Sequence, residues 1–91
     1  MRFKLYSLHD VKMAIYLSPF VARNDVEATR QLAGSMADPN MRNSPMCLAP
    51  SDFSLVCVGD FDDDSGALTS SERPVLVSSL ADIRPLGTVS S

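Results

Sequence analysis

The stretch Phe53–Thr69, FSLVCVGDFDDDSGALT, decides the fold. Phe53, Leu55 and Cys57 alternate with Ser54, Val56 and Val58, so the segment is apolar enough on both sides to read as an interior strand. Asp62 to Gly66 then reads as a turn, because Gly66 can take the positive φ that a hairpin loop with a bulge requires. Ala67 to Thr69 return as the partner strand. Ser70 to Arg73 is polar, and Pro74 to Val77 reads as an edge strand, where a missing amide hydrogen is tolerated.

Upstream, Phe3 and Leu5 alternate with Arg2, Lys4 and Tyr6, which predicts a first strand running through Leu8 and reversing near His9-Asp10. Val11, Met13, Ile15 and Leu17 alternate with Lys12, Ala14 and Tyr16, the period of a second, half-buried strand. A helix from Asp10 through Leu17 also fits the short run, since it places Val11, Ala14 and Ile15 on one side. Pro19 stops regular pairing, leaving Ser18 to Arg23 as an extended connection.

The main helix is marked by Asn24 as N-cap, Glu27 three residues later, and Asp25 and Glu27 at the positive end of the dipole. Ala28, Leu32, Ala33 and Met36 share its apolar side, and it ends near Ala37. Residues 38–52, DPNMRNSPMCLAPSD, hold three prolines and no sustained period, so they read as a long, mobile loop. Its methionines, Met41 and Met46, read either as a binding surface or as residues tucked onto the core. After the apolar group Leu80, Ala81 and Ile83, residues 85–91 read as a frayed tail. The expected fold is α+β: a small antiparallel sheet of about four to five strands with one main amphipathic helix over residues 24–37, a single domain over 1–84.

Composition bounds the function. Eight basic against eleven acidic residues give a formal charge of −3, so no bulk positive field gathers nucleic acid or anionic lipid, and anion binding would need a local patch. No apolar segment approaches the roughly 20 residues that span a bilayer, which excludes a membrane partner from the reading and suggests the cytoplasm. Cys47 and Cys57 form no CxxC pair and the chain has one histidine, so neither a zinc site nor a redox motif is supported.

Asp60, Asp62 and Asp64 alternate like the first ligands of a calcium loop, yet the sixth and twelfth positions hold Ser65 and Ser71 rather than Gly and Glu. The aspartates therefore read as an exposed acidic turn, with no metal or cofactor implied. Neither a Gly-x-Ser-x-Gly, a phosphate loop nor an HExxH motif occurs, and the chain reads as no enzyme.

The positive hint is a face. Arg2, Lys4 and Tyr6 share one side of the first strand, and Lys12 and Tyr16 one side of the second. Paired about His9, they would bring two rings and three cations together, with Arg23 and Arg30 extending the patch at the helix start. Single-stranded nucleic acid is bound by that combination, rings stacking on bases and cations neutralising phosphates. The competing reading makes Tyr6 and Tyr16 cross-strand packing partners, with the lysines solvating an exposed sheet.

Three stretches carry a family resemblance: KLYSLHDVK with Tyr16, Pro19 and Phe20 following; NDVEATR from Asn24 to Arg30; and DFSLVCVGDFDDDSG from Asp52 to Gly66. In order and spacing they resemble the small nonstructural protein of gokushovirus-type microviruses, single-stranded DNA phages, over about Lys4 to Val77. Matching positions include Lys4, Tyr6, Asp10, Lys12, Tyr16, Arg30, Gly59, Phe61 and Gly66. The chain departs from the pattern at Ala49-Pro50-Ser51-Asp52 and has a longer loop around Met41. The resemblance implies a nonenzymatic DNA-binding accessory protein of viral genome replication, or of the switch to packaging, in the host bacterial cytoplasm. Its expected partners are single-stranded DNA, further copies of itself, and other viral or host replication proteins; Lys4, Tyr6, Lys12, Tyr16, Arg23 and Arg30 form the expected nucleic-acid site. The alternative is an interaction or assembly factor that does not bind DNA.

Overall fold

A computed structural model describes residues 1–83. Its strands are β1 (Arg2–Asp10), β2 (Ile15–Tyr16), β3 (Phe20–Ala22), β4 (Phe53–Asp62) and β5 (Leu68–Ser79), and its helices are α1 (Asp25–Ala37) and the single-turn α2 (Pro45–Leu48). All pairings are antiparallel: β1 lies beside β4, β4 beside β5, and the other edge of β1 takes β2 at one end and β3 at the other. The expected α+β class, a small antiparallel sheet carrying one main helix, is what the chain forms. The tail expected at 85–91 lies outside the described residues, among which no helix is long and apolar enough to cross a membrane.

Helix α1 starts as its sequence requires. Asn24 is extended and its side chain accepts the Glu27 amide at 2.9 Å. The Glu27 carboxylate turns back to accept the Arg23 amide at 3.4 Å, one residue beyond the Asn24 amide that a capping box uses. Ala28, Leu32 and Ala33 are buried against Tyr6, Leu8, Phe53 and Leu55 of the sheet. Small alanines at the contact let the helix backbone approach the strands closely. Burial of each larger apolar side chain contributes about 1.5–3 kcal/mol, more than the propensity of a 13-residue helix supplies alone.

Four segments differ from expectation. Phe20–Ala22, within the connection expected to be unpaired, joins the sheet as β3, because Pro19, which has no amide hydrogen for a ladder, lies just outside it. Val11–Leu17 is mainly a turn, and only Ile15–Tyr16 pairs with β1. The Asp10 carboxylate accepts the amides of Lys12 and Met13, both at 3.1 Å, and Ala14 takes a positive φ of 56°. Asp10 thus offers the backbone a local alternative to the ladder, which a strand-period reading overlooks.

Residues 38–52 are not one irregular loop. Pro39, Pro45 and Pro50 each open a short helical turn, the 3-10 turns Pro39–Met41 and Pro50–Asp52 flanking α2. Proline suits that first position because the missing amide has no intrahelical partner there. Met46 is buried in the core, with Met41 and Cys47 packed against it. Last, β5 runs unbroken from Leu68 to Ser79, through the polar Ser70–Arg73. It then enters a 3-10 turn, Leu80–Asp82, which carries Leu80 and Ile83 into the core.

The β4–β5 hairpin closes as its sequence suggests. Gly66 has φ +74°, its amide donates to the Asp62 carbonyl at 2.7 Å, and the Asp62 amide donates to the Ala67 carbonyl at 3.0 Å. Gly59 meets a different demand. The register slips between Cys57 and Gly59, and a Cβ on Gly59 would overlap the Thr69 carbonyl oxygen of the neighbouring strand.

Candidate functional site

Strand register assigns every β1 residue to a side. Residues directly opposite in an antiparallel pair share a face, and neighbours along a strand alternate. Tyr6 opposes Cys57 and Leu8 opposes Leu55, and this is the side covered by α1. Arg2 and Lys4 alternate onto the same side, beyond the helix start. His9 opposes Tyr16, which puts Tyr16 on the reverse side of the sheet from Tyr6.

The expected single face of two rings and three cations is therefore divided. Tyr6 is fully buried, its ring stacked on Phe20 at a centroid distance of 5.8 Å, and its hydroxyl donates to Asp25 Oδ1 at 2.7 Å. Burial, and then the hydrogen bond to Asp25, push its phenol well above the ordinary tyrosine range. A ring held this way offers no face to a base, which corrects the expectation that Tyr6 is an exposed stacking residue. The physical cause is the N-terminus of α1: Asp25, which favours the helix dipole, also accepts the phenol and lies 4.0 Å from Lys4 Nζ.

Tyr16 is the opposite case. It is 50% exposed and stacks on His9, with ring centroids 4.3 Å apart and planes inclined by 13°. The turn joining these strands carries the exposed Lys12, whose Nζ lies 3.5 Å from Asp52 Oδ2. The Val11 amide donates to the Asp52 carbonyl at 2.9 Å, the Leu17 amide donates to the Leu8 carbonyl at 2.9 Å, and Ser7 Oγ donates to the Leu17 carbonyl at 2.7 Å. These bonds hold both flanks of the ring pair to the sheet. Arg23 and Arg30 are exposed at the beginning of α1, and neither enters an ion pair among the described residues.

The structure thus joins Tyr16 and His9, with Lys12 on the turn between their strands and its ammonium at Asp52, and sets Lys4, Tyr6 and Arg23 around the start of α1, with Arg30 a turn further along the helix. The sequence alone marks His9 only as a turn residue. The signal that finds it is the register around the Asp10 turn, which makes His9 the direct partner of Tyr16.

Asp62, Asp63 and Asp64 bring carboxylate oxygens within 4.8 Å of one another, whereas Asp60 stays outside the group. The Met1 amino group donates to Asp63 Oδ1 at 2.7 Å and to Asp64 Oδ2 at 3.0 Å. The Asp64 amide donates to Asp62 Oδ1 at 2.9 Å and lowers the Asp62 pKa from the ordinary carboxylate range. Met41 and Met46 line an apolar hollow of about 290 Å³ with Leu17, Pro45 and Phe53, the Asp10 and Ser44 side chains standing at its wall.

Architecture and site together define a small α+β module with an exposed ring pair at one end of its sheet. The family model described as Phage ORF5 protein matches residues 3–83, and the chain belongs to that phage protein family. No curated protein and no solved structure matches it.

Proposed function

We propose that the chain is a nonenzymatic accessory protein of a gokushovirus-type single-stranded DNA phage. In this reading it binds single-stranded DNA in the bacterial cytoplasm, during genome replication or the switch to packaging. The observation that carries the reading is the Tyr16–His9 stack, an aromatic surface half open to solvent, with Lys12 on the turn that joins the two strands. A stacking ring is indifferent to base identity, and each stacked base contributes about 1–3 kcal/mol. Lys12 supplies phosphate contact next to the rings, and Arg23, Arg30 and Lys4 supply it farther along. Tyr6 belongs to the scaffold of this site rather than to its surface. A net charge of −3 makes the interaction local, so affinity is expected to be modest and to fall with salt.

The test is fluorescence anisotropy with a labelled oligonucleotide at low ionic strength. Binding that weakens as salt rises, and weakens further in Lys12→Ala, is the expected result. Absence of binding at low salt overturns the proposal. The second reading, an assembly factor that touches no DNA, is favoured by Val21, Leu68 and Leu76, exposed apolar side chains on the side of the sheet away from α1.

A further inference from the structure

A row of directly opposed residues crosses the sheet at the end that carries the ring pair. Tyr16 of β2 opposes His9 of β1, His9 opposes Ser54 of β4, and Ser54 opposes Ser79 of β5. Opposed residues of an antiparallel sheet stand on one side of it, so all four rise from the side away from α1. Strands lie about 4.8 Å apart. The Tyr16 and His9 ring centroids are 4.3 Å apart, so the spacing of the sheet nearly matches the spacing of the stack. The two planes are inclined by only 13°, and the second face of the imidazole is therefore turned toward β4. The next ring position in the stack falls above Ser54, whose side chain is too short to fill it.

We infer that this position is a nucleobase subsite: one base of a single strand stands on the sheet over Ser54, its plane against the second face of His9. The inference rests on the DNA reading and deepens it, from an aromatic surface to a slot for one base. The floor of the slot suits a base edge. Ser79 Oγ accepts the Ala81 amide at 3.2 Å, which leaves its O–H to donate. Each of the four bases presents an oxygen or ring nitrogen that accepts such a bond. An apolar side chain from a protein partner would instead cover two hydroxyls without bonding them, at a cost in desolvation.

The same chemistry sets the selectivity. A hydroxyl both donates and accepts, so Ser54 and Ser79 discriminate little among bases, and the imidazole face supplies the affinity. The row itself carries no carboxylate. Lys12 is held at Asp52, two residues before Ser54 in the chain, and at 77% exposure that ion pair is weak enough to exchange for a phosphate. Tyr16 backs the imidazole from the other side and keeps its plane upright on the sheet, so both rings serve one base.

Nuclear magnetic resonance titration at low salt with an oligothymidylate of about eight nucleotides tests the inference. His9 is the one histidine of the chain, so its ring protons report on the slot without ambiguity. They are expected to move upfield as a base stacks on them, and to stay in place with an abasic strand of the same length, which keeps the phosphates. Ser54→Leu fills the slot and is expected to weaken binding at least about fivefold, the low end of what one stacked base contributes. Ser54→Ala leaves the slot open and should bind closer to the parent chain. Far-UV circular dichroism verifies the fold of both variants, and if Ser54→Leu does not fold, the His9 resonances of the parent chain decide alone. Oligothymidylate binding that leaves the His9 protons unmoved, that shifts them no more than the abasic strand does, or that survives Ser54→Leu undiminished overturns the subsite and leaves the DNA reading standing. A parent chain that binds no strand overturns both.

Discussion

Tyr6 and Tyr16 occupy the two sides of one sheet, and their environments differ in every respect that matters to function. Tyr6 lies beneath the start of α1, stacked on Phe20 and bonded to Asp25, with no exposed surface. Tyr16 lies on a strand of two residues, half exposed and stacked on His9. One face has been completed by a helix and a run of proline-initiated turns, while the other, closed over Ser7 and Val56, leaves Val21, Leu68 and Leu76 exposed. The comparison teaches that the covered face sets stability and the open face is available for recognition.

The strongest way to break that comparison is to truncate a leucine on each side. Leu55 is fully buried beneath the helix, so Leu55→Ala should lower unfolding stability by about 2–5 kcal/mol in urea denaturation. Leu76→Ala should stay within about 0.5 kcal/mol. Similar losses from the two would erase the distinction between the faces.

Gly59 is the expected exception, because it lies on the open side yet tolerates no side chain. Gly59→Ala must displace Thr69 backbone and should cost about 1–3 kcal/mol by the same measurement. A neutral substitution would show that β4 and β5 part more readily at the bulge than their register implies.

Tyr6→Phe sharpens the covered side. Loss of the hydroxyl's bond to Asp25 should cost about 1 kcal/mol at neutral pH. The phenol pKa is raised on folding, so above pH about 10 the unfolded chain releases this proton while the folded chain retains it. Tyr6 therefore stabilises fully below that pH and less as pH rises, and Tyr6→Phe should show a shallower alkaline loss of stability than the parent chain. The smallest effect belongs to the turn beneath the ring pair. Ala14 holds a positive φ, and Ala14→Gly should raise stability by about 0.5–1 kcal/mol, read as a higher Tm.

Much of the covered face was legible in the sequence, because local chemistry and burial agree there. Asn24 caps α1, Ala28, Leu32 and Ala33 face the sheet, and Phe53 to Gly66 form strand and turn. The open face was less legible. Alternation in Val11–Leu17 suits a strand as well as a turn in which Asp10 captures two amides. That turn determines which residue opposes His9, and hence which tyrosine emerges on which side. Residues 38–52 showed no period because three short turns, each opened by proline, are too brief to repeat. Their prolines were helix starts rather than loop punctuation. Tyr6 had the right neighbours in sequence for a binding residue. The stack on Phe20 and the docking of α1, with Asp25 nineteen residues later, take it out of solvent.

The division of labour between the two tyrosines is tested most directly by oligonucleotide titration of Tyr16→Ala beside Tyr6→Phe, at low salt and with both chains verified as folded. Tyr16→Ala is expected to lose about 1–3 kcal/mol of binding, roughly 5- to 150-fold in Kd, while Tyr6→Phe binds as the parent does. Binding that survives Tyr16→Ala unchanged, or that falls equally in Tyr6→Phe, would contradict the assignment of the ring pair as the recognition surface.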